Sequence, residues 1–202
     1  MLGIFLDTET NGLNPKENRI IDIAYKIIDL FSGEEIENYN TIVFQPEKIW
    51  EKSNLKSLEI TGYTYEQIKR GKQEKIVASE ILHSLKTFKI NKENSVFICQ
   101  NPSFDRAFFS QLIDADMQDL LSWPYHWLDF SSMYWAISLK KALSNHSFFP
   151  WETGFSKDKI ALSYNLPKEE TPHKAINGVN HLILCYKNVV GFPFLIKNQI
   201  KK

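Results

Sequence analysis

The chain opens on an apolar run, LGIFLDTET, broken only by its acids and closed by NGLNP, the pattern of a buried strand running into a turn. RIIDIAYKIID and EIENYNTIVF are rich in β-branched and aromatic residues and flank LFSGE, so they read as two strands joined by a hairpin. A Thr-Gly turn leads into a short helix beginning near Thr64, and EKIVASEILHSLKTFK sets Ile76, Ile81, Leu82, Leu85 and Phe88 along a helical stripe. SVFICQNPSFDRAFFSQLIDA then gives a strand, a loop at Asn101-Pro102 and a helix turning Phe104, Phe108, Leu112 and Ile113 inward. HWLDFSSMYWAISLKKAL repeats that plan, with Ser131 or Ser132 as the helix cap. SKDKIALSYNL is a short helix, and HKAINGVNHLILCYKNVVGF a long one between Pro172 and Gly191. Three strands in succession, then alternating helices and strands, predict an α/β fold: a mixed five-stranded sheet flanked by helices.

Length fits that picture, because 202 residues without repeats or linkers suit one core. The expected organisation is a single domain over residues 1–202, with a C-terminal tail from about residue 192. Charge adds little, since 24 basic residues balance 24 acidic ones and exclude any global pull toward nucleic acid. From Phe155 onward, however, eight lysines face three acids, so a local patch is available for phosphates or simply for solvent. Cys99 and Cys185 sit among apolar neighbours without C-x-x-C spacing, as buried free thiols in a reducing compartment do. No run approaches the roughly 20 apolar residues of a membrane-spanning helix. A cytoplasmic protein with no membrane partner is expected.

The chemistry concentrates in carboxylates. Asp7 and Glu9 are two positions apart on a strand, so both leave the same face at the carboxyl end, where open α/β sheets place ligands. Asp105 falls in the first turn of an aromatic-rich helix, where an acid also complements the helix dipole.

Taken in order, FLDTETNGL, NPSFDRAFF and a histidine-led final helix resemble the three sequence blocks of the DEDDh exonucleases. The resemblance runs from the first strand through the last helix. That family comprises 3′ to 5′ nucleases of ribonuclease H-like fold and includes the proofreading subunits of bacterial replicative polymerases. It implies that Asp7, Glu9 and Asp105 bind two Mg²⁺ or Mn²⁺ ions and that His173 accepts a proton from the attacking water. Carboxylates are the hard ligands such ions need, and a neutral imidazole with a pKa of about 6.5 takes a proton at neutral pH. By the same resemblance Thr8, Thr10, Leu13 and Asn101 seat the terminal nucleotide, with Gln100 where a histidine is common. The implied partners are single-stranded DNA or RNA 3′ ends and a DNA polymerase, with the chain acting as monomer or homodimer.

One position departs. The family's aspartate five residues beyond the histidine is Gly178 here, and no acid follows His173 anywhere in the chain. His181, one turn on, can stand in as compensating ligand, or Asn177 or water completes the shell at reduced affinity, giving a weak first metal site and a weakened exonuclease; otherwise the fold binds nucleic acid without cleaving it. If the vacant ligand is the only defect, Gly178→Asp should raise cleavage by orders of magnitude, and no change would reject that diagnosis. Trp123, Tyr125, Trp127 and the Phe148-Phe149-Trp151 segment serve either as base-stacking surfaces or as core, with core preferred for Trp127.

Overall fold

A computed structural model describes residues 1–145 and 147–194. Five strands, β1 (Leu2–Thr10), β2 (Ile20–Asp29), β3 (Glu35–Ile42), β4 (Ser95–Cys99) and β5 (Trp127–Asp129), form one sheet in the order β3-β2-β1-β4-β5. β1 pairs antiparallel with β2 and β2 with β3, whereas β1 with β4 and β4 with β5 are parallel. The helices are α1 (Glu47–Trp50), α2 (Leu55–Thr61), α3 (Tyr65–Ile68), α4 (Glu74–Thr87), α5 (Pro102–Phe109), α6 (Ala115–Leu120), α7 (Phe130–Asn145), α8 (Pro150–Thr153), α9 (Lys157–Ser163) and α10 (Ala175–Val189). Mixed sheet, meander and crossovers make this a ribonuclease H-like α/β fold.

The period-two alternation of β1 divides the core. Ile4 and Leu6 face one layer with Val77, Ile81, Leu85, Phe108 and Phe109, while Phe5 faces the other with Ile160, Val179, Leu182 and Cys185. The buried stripe of α4 is Val77-Ile81-Leu85, an i, i+4, i+8 row. Ile76, placed on that stripe from the sequence, is 51% exposed, because it lies about 100° round the helix from Val77. Each fully buried aliphatic on such a row contributes on the order of 2 kcal/mol.

Helix ends follow local chemistry. α2 stops at Gly62 in the left-handed region, where a residue without Cβ is unstrained. The cap of α7 is Asp129, whose carboxylate accepts from the backbone N–H of Ser131 and Ser132, rather than either serine. Phe192, assigned to a tail from the sequence, is buried against Tyr186, so the packed body runs past α10. The rest of that expected tail, residues 195–202, lies outside the described residues. Cys99 and Cys185 are buried and free. Among the described residues no helix is long and apolar enough to cross a membrane.

Candidate active site

The parallel strands β1 and β4 deliver their carboxyl ends to one edge of the sheet, and only Gln100 and Asn101 separate the end of β4 from α5. That edge holds a cleft of about 220 Å³ whose walls include Asp7, Glu9, Asp105, Lys157, Glu169 and His173. Asp7 pairs with Ala24 and Glu9 with Asp22 across the β1–β2 ladder, with a register shift between Glu9 and Thr10 that re-aims the strand end. Asp105 reaches over from α5: its Oδ1 accepts from the backbone N–H of Thr8 at 3.0 Å and from the Thr8 hydroxyl at 2.8 Å. Thr8 lies between Asp7 and Glu9, so this clasp brings the α5 acid to the strand pair.

Gly178 faces Asp7 directly. A Cβ built there would overlap Asp7 Oδ2, lie 2.6 Å from Asp7 Cγ and approach Lys157 Nζ to 3.1 Å. The space an aspartate side chain would need is therefore filled by the Asp7 carboxylate and a lysine ammonium. Lys157, in the first turn of α9, donates to Asp7 Oδ1 at 3.3 Å and pairs with Glu169 Oε2 at 2.9 Å. Glu169, on the loop ahead of α10, has a side chain only 3% exposed. Its Oε1 stands 3.4 Å from His173 Nδ1 and has no hydrogen-bond partner among the described residues.

His173 precedes α10 by two residues, and its backbone N–H donates to Ile60 O at 3.0 Å. His181 and Asn177 both lie apart from the cleft. The His181 ring bonds Pro167 O at 3.0 Å and stands behind Glu169 at 3.7 Å, while Asn177 lines a neighbouring hollow with Pro167 and Glu170. Thr10 donates its hydroxyl to Gly12 O, Asn101 uses its side chain to accept from Ser103, and Leu13 is 73% exposed at the far end of the turn.

Burial dominates the electrostatics. It raises Asp7 and Asp105, and it raises Glu9 to about 8 with help from the neighbouring Asp7 and Glu169 charges. Burial alone would raise Glu169 as well, but His181 and Lys157 hold it down to about 2. Lys157 keeps its proton because Asp7 and Glu169 outweigh its own desolvation. Four acids with one lysine among them form a hard-oxygen, electron-rich donor set, which fits divalent cations of the magnesium and manganese class. Glu9, Glu169 and His173 each offer a ligand atom, all within 4.8 Å of one another.

Three site residues have weak sequence signals. Lys157 sits in a helix first turn, where the dipole disfavours a cation. Glu169 lies in an irregular, charged loop. Asp22 sits in the apolar first half of β2; its carboxylate accepts from Tyr63 OH at 2.7 Å and from the Ala175 N–H at 2.9 Å, capping α10 and fixing the approach of His173. Tyr63 in turn lies under Lys174, whose ammonium is 3.2 Å from the ring centroid.

A ribonuclease H-like sheet with acids gathered at the carboxyl end of its central strand points to a class, the nucleases of that fold. Residues 4–180 match the family model described as Exonuclease, of the RNase T type, and the chain belongs to that family. The chain is 32% identical over 127 residues to the PolC-type DNA polymerase III of Thermotoga petrophila and 29% identical over 126 residues to that of Thermotoga maritima. Each match covers 62% of this chain and 8% of the polymerase, so the chain spans a small part of those relatives. Among solved structures, the zinc-bound E. coli ExoI–ssDNA complex superposes with a TM-score of 0.73 at 19% identity, over 99% of this chain and 43% of that one. Cell-death related nuclease 4 gives 0.71 at 14% identity, over 95% and 65%.

Proposed function

We propose that the chain is a metal-dependent 3′ to 5′ exonuclease domain that releases nucleoside monophosphates from single-stranded or frayed DNA or RNA ends. The observation that carries this reading is the clasp of Asp105 on Thr8, which gathers acids separated by most of the sheet's sequence around one cleft. In this reading Asp7, Glu9 and Asp105 hold two Mg²⁺ or Mn²⁺ ions, which when bound polarise a water and stabilise the leaving oxygen. His173 turns Nδ1 toward Glu169, leaving Nε2 to take the proton of the attacking water. Thr8 orients Asp105, and Asp22 holds the start of α10 so that His173 stays at the cleft mouth. The PolC-type relatives support a place beside a DNA polymerase, at the 3′ end it extends.

An aromatic platform supports the single-strand preference. Trp135, Trp151 and Phe155 pack together at 5.5 and 5.7 Å, Phe149 stacks on Trp151 at 4.6 Å, and Gln100 of the cleft donates to Phe155 O. Trp151 remains 53% exposed despite the stacked Phe149, so part of its ring is available to a base. Trp127 instead stacks on Phe97 at 4.1 Å and belongs to the core.

One observation favours a second reading, a non-cleaving domain that binds nucleic-acid ends: Lys157 already neutralises Asp7 and Glu169, as a cation would. The deciding experiment incubates the protein with single-stranded DNA and RNA labelled at either end, with Mg²⁺ or Mn²⁺, beside Asp7→Ala. Stepwise loss from the 3′ end that vanishes in Asp7→Ala is expected. Binding without cleavage establishes the second reading, and cleavage that survives Asp7→Ala assigns the activity elsewhere.

A further inference from the structure

We propose that Glu169, delivered by the loop ahead of α10, supplies the carboxylate that the helix itself lacks, so that Glu9 and Glu169 together hold a divalent cation beside His173. This rests on the exonuclease reading for its setting and adds a ligand that the family pattern does not contain. Three observations converge on it.

The first is crowding at Gly178: because a Cβ there would overlap Asp7, an acid on the helix could enter this cleft only by displacing the Asp7 carboxylate, whereas an acid from another segment meets no such overlap. The second is the orphaned oxygen. Glu169 is held from behind at one oxygen, by Lys157 at 2.9 Å and with His181 at 3.7 Å, and its backbone N–H donates to Asp158 at 3.0 Å. Its other oxygen is buried and has no hydrogen-bond partner among the described residues. A buried acceptor without a hydrogen bond is costly, so a carboxylate this firmly positioned, with one oxygen approached only by His173 Nδ1 at 3.4 Å, is shaped for something that binds it. The third is convergence: that carboxylate, Glu9 and His173 bring ligand atoms within 4.8 Å of one another, from a strand, a loop and a helix approach. Lys157 completes the arrangement as an orienting group, much as outer-shell partners fix metal ligands. It engages Asp7 at Oδ1 and Glu169 at Oε2, which leaves Glu169 Oε1 on the side of His173, 3.4 Å from its Nδ1.

The test is Mn²⁺ binding to the whole chain, read by electron paramagnetic resonance and calorimetry, with cleavage of labelled single-stranded DNA measured on the same preparations. Glu169→Gln should weaken Mn²⁺ binding at least tenfold, whereas Glu170→Gln, which removes the same charge from the exposed neighbour, should change it less than twofold. Unchanged affinity in Glu169→Gln overturns the assignment, as does a wild-type chain that binds no Mn²⁺. If the glutamine variant does not fold, Glu169→Asp, which withdraws the carboxylate by one methylene, carries the test with the same expectation and the same refuting result. The two readings fail separately. Glu169-dependent Mn²⁺ binding in a chain that never cleaves keeps the metal site and discards the nuclease, and cleavage indifferent to Glu169 does the reverse.

Discussion

Gly178→Ala separates the two ways of seeing this position. As a solvent-facing helix residue it should gain about 1 kcal/mol on acquiring a methyl group, since glycine is that much worse than alanine inside a helix. In the folded chain the methyl group would overlap Asp7 Oδ2 and crowd Lys157, so the Asp7 carboxylate must swing away from a buried pairing. Overpacking costs about 1–3 kcal/mol, and separating a buried ion pair up to about 3–5 kcal/mol when one charge is left alone. Lys157 retains Glu169, which keeps the second figure near its lower end. The expected net loss is about 2–3 kcal/mol, a fall in Tm of roughly 5–10 °C for a domain of this size. Thermal melts without divalent ions, in the intact chain and in Asp7→Ala, provide the assay. Without the Asp7 carboxylate the sign should reverse, with Gly178→Ala stabilising by about 1 kcal/mol. A higher Tm for Gly178→Ala in the intact chain, or an equal effect in both backgrounds, would refute the reasoning. The same geometry predicts the opposite sign for Gly178→Asp from that expected when only a vacant ligand is considered. The added side chain begins inside the Asp7 carboxylate, so cleavage measured on labelled single strands should fall rather than rise.

Other consequences follow from the same packing. Glu9 is raised to about 8, so its protonated form favours the fold: that contribution is complete below the unfolded value near 4.5 and is lost as pH climbs through 8. The metal-free protein should therefore melt lower at pH 9 than at pH 6, Glu9→Gln should flatten that slope, and added Mg²⁺ should stabilise more at the higher pH. Asp22→Ala strands the Tyr63 hydroxyl and the Ala175 N–H, both bonded to one carboxylate oxygen, and should lower Tm by roughly 5–10 °C, whereas Asp22→Asn keeps an acceptor and should lose much less. Trp151→Ala should weaken binding of single-stranded oligonucleotides by about 1–3 kcal/mol in fluorescence anisotropy, with no change in Mn²⁺ affinity.

Local pattern was enough for much of this protein. The alternation of β1, the hairpin at LFSGE, the strand-to-helix passages at Asn101 and Asp129, and the pairing of Asp7 with Glu9 on one strand face are properties of neighbouring residues, and neighbouring residues determine them. The order of the acidic blocks was likewise legible, through its resemblance to the DEDDh exonucleases, and the strand-end position of Asp7 and Glu9 fits where α/β chains present ligands. What the chain does with Gly178 was not. A glycine where an acid is expected reads as an absence, and only the approach of α10 to β1 shows an occupied space, filled by Asp7 and by a lysine 21 residues upstream. Glu169, Lys157 and Asp22 gain their roles from loops and helix ends meeting across the sheet, at separations no periodicity encodes. Position along the chain decided which residues could carry charge, and the closing of α9 and α10 over the sheet edge decided which charges would meet, because Coulomb attraction and steric overlap act over a few ångströms of space rather than over sequence.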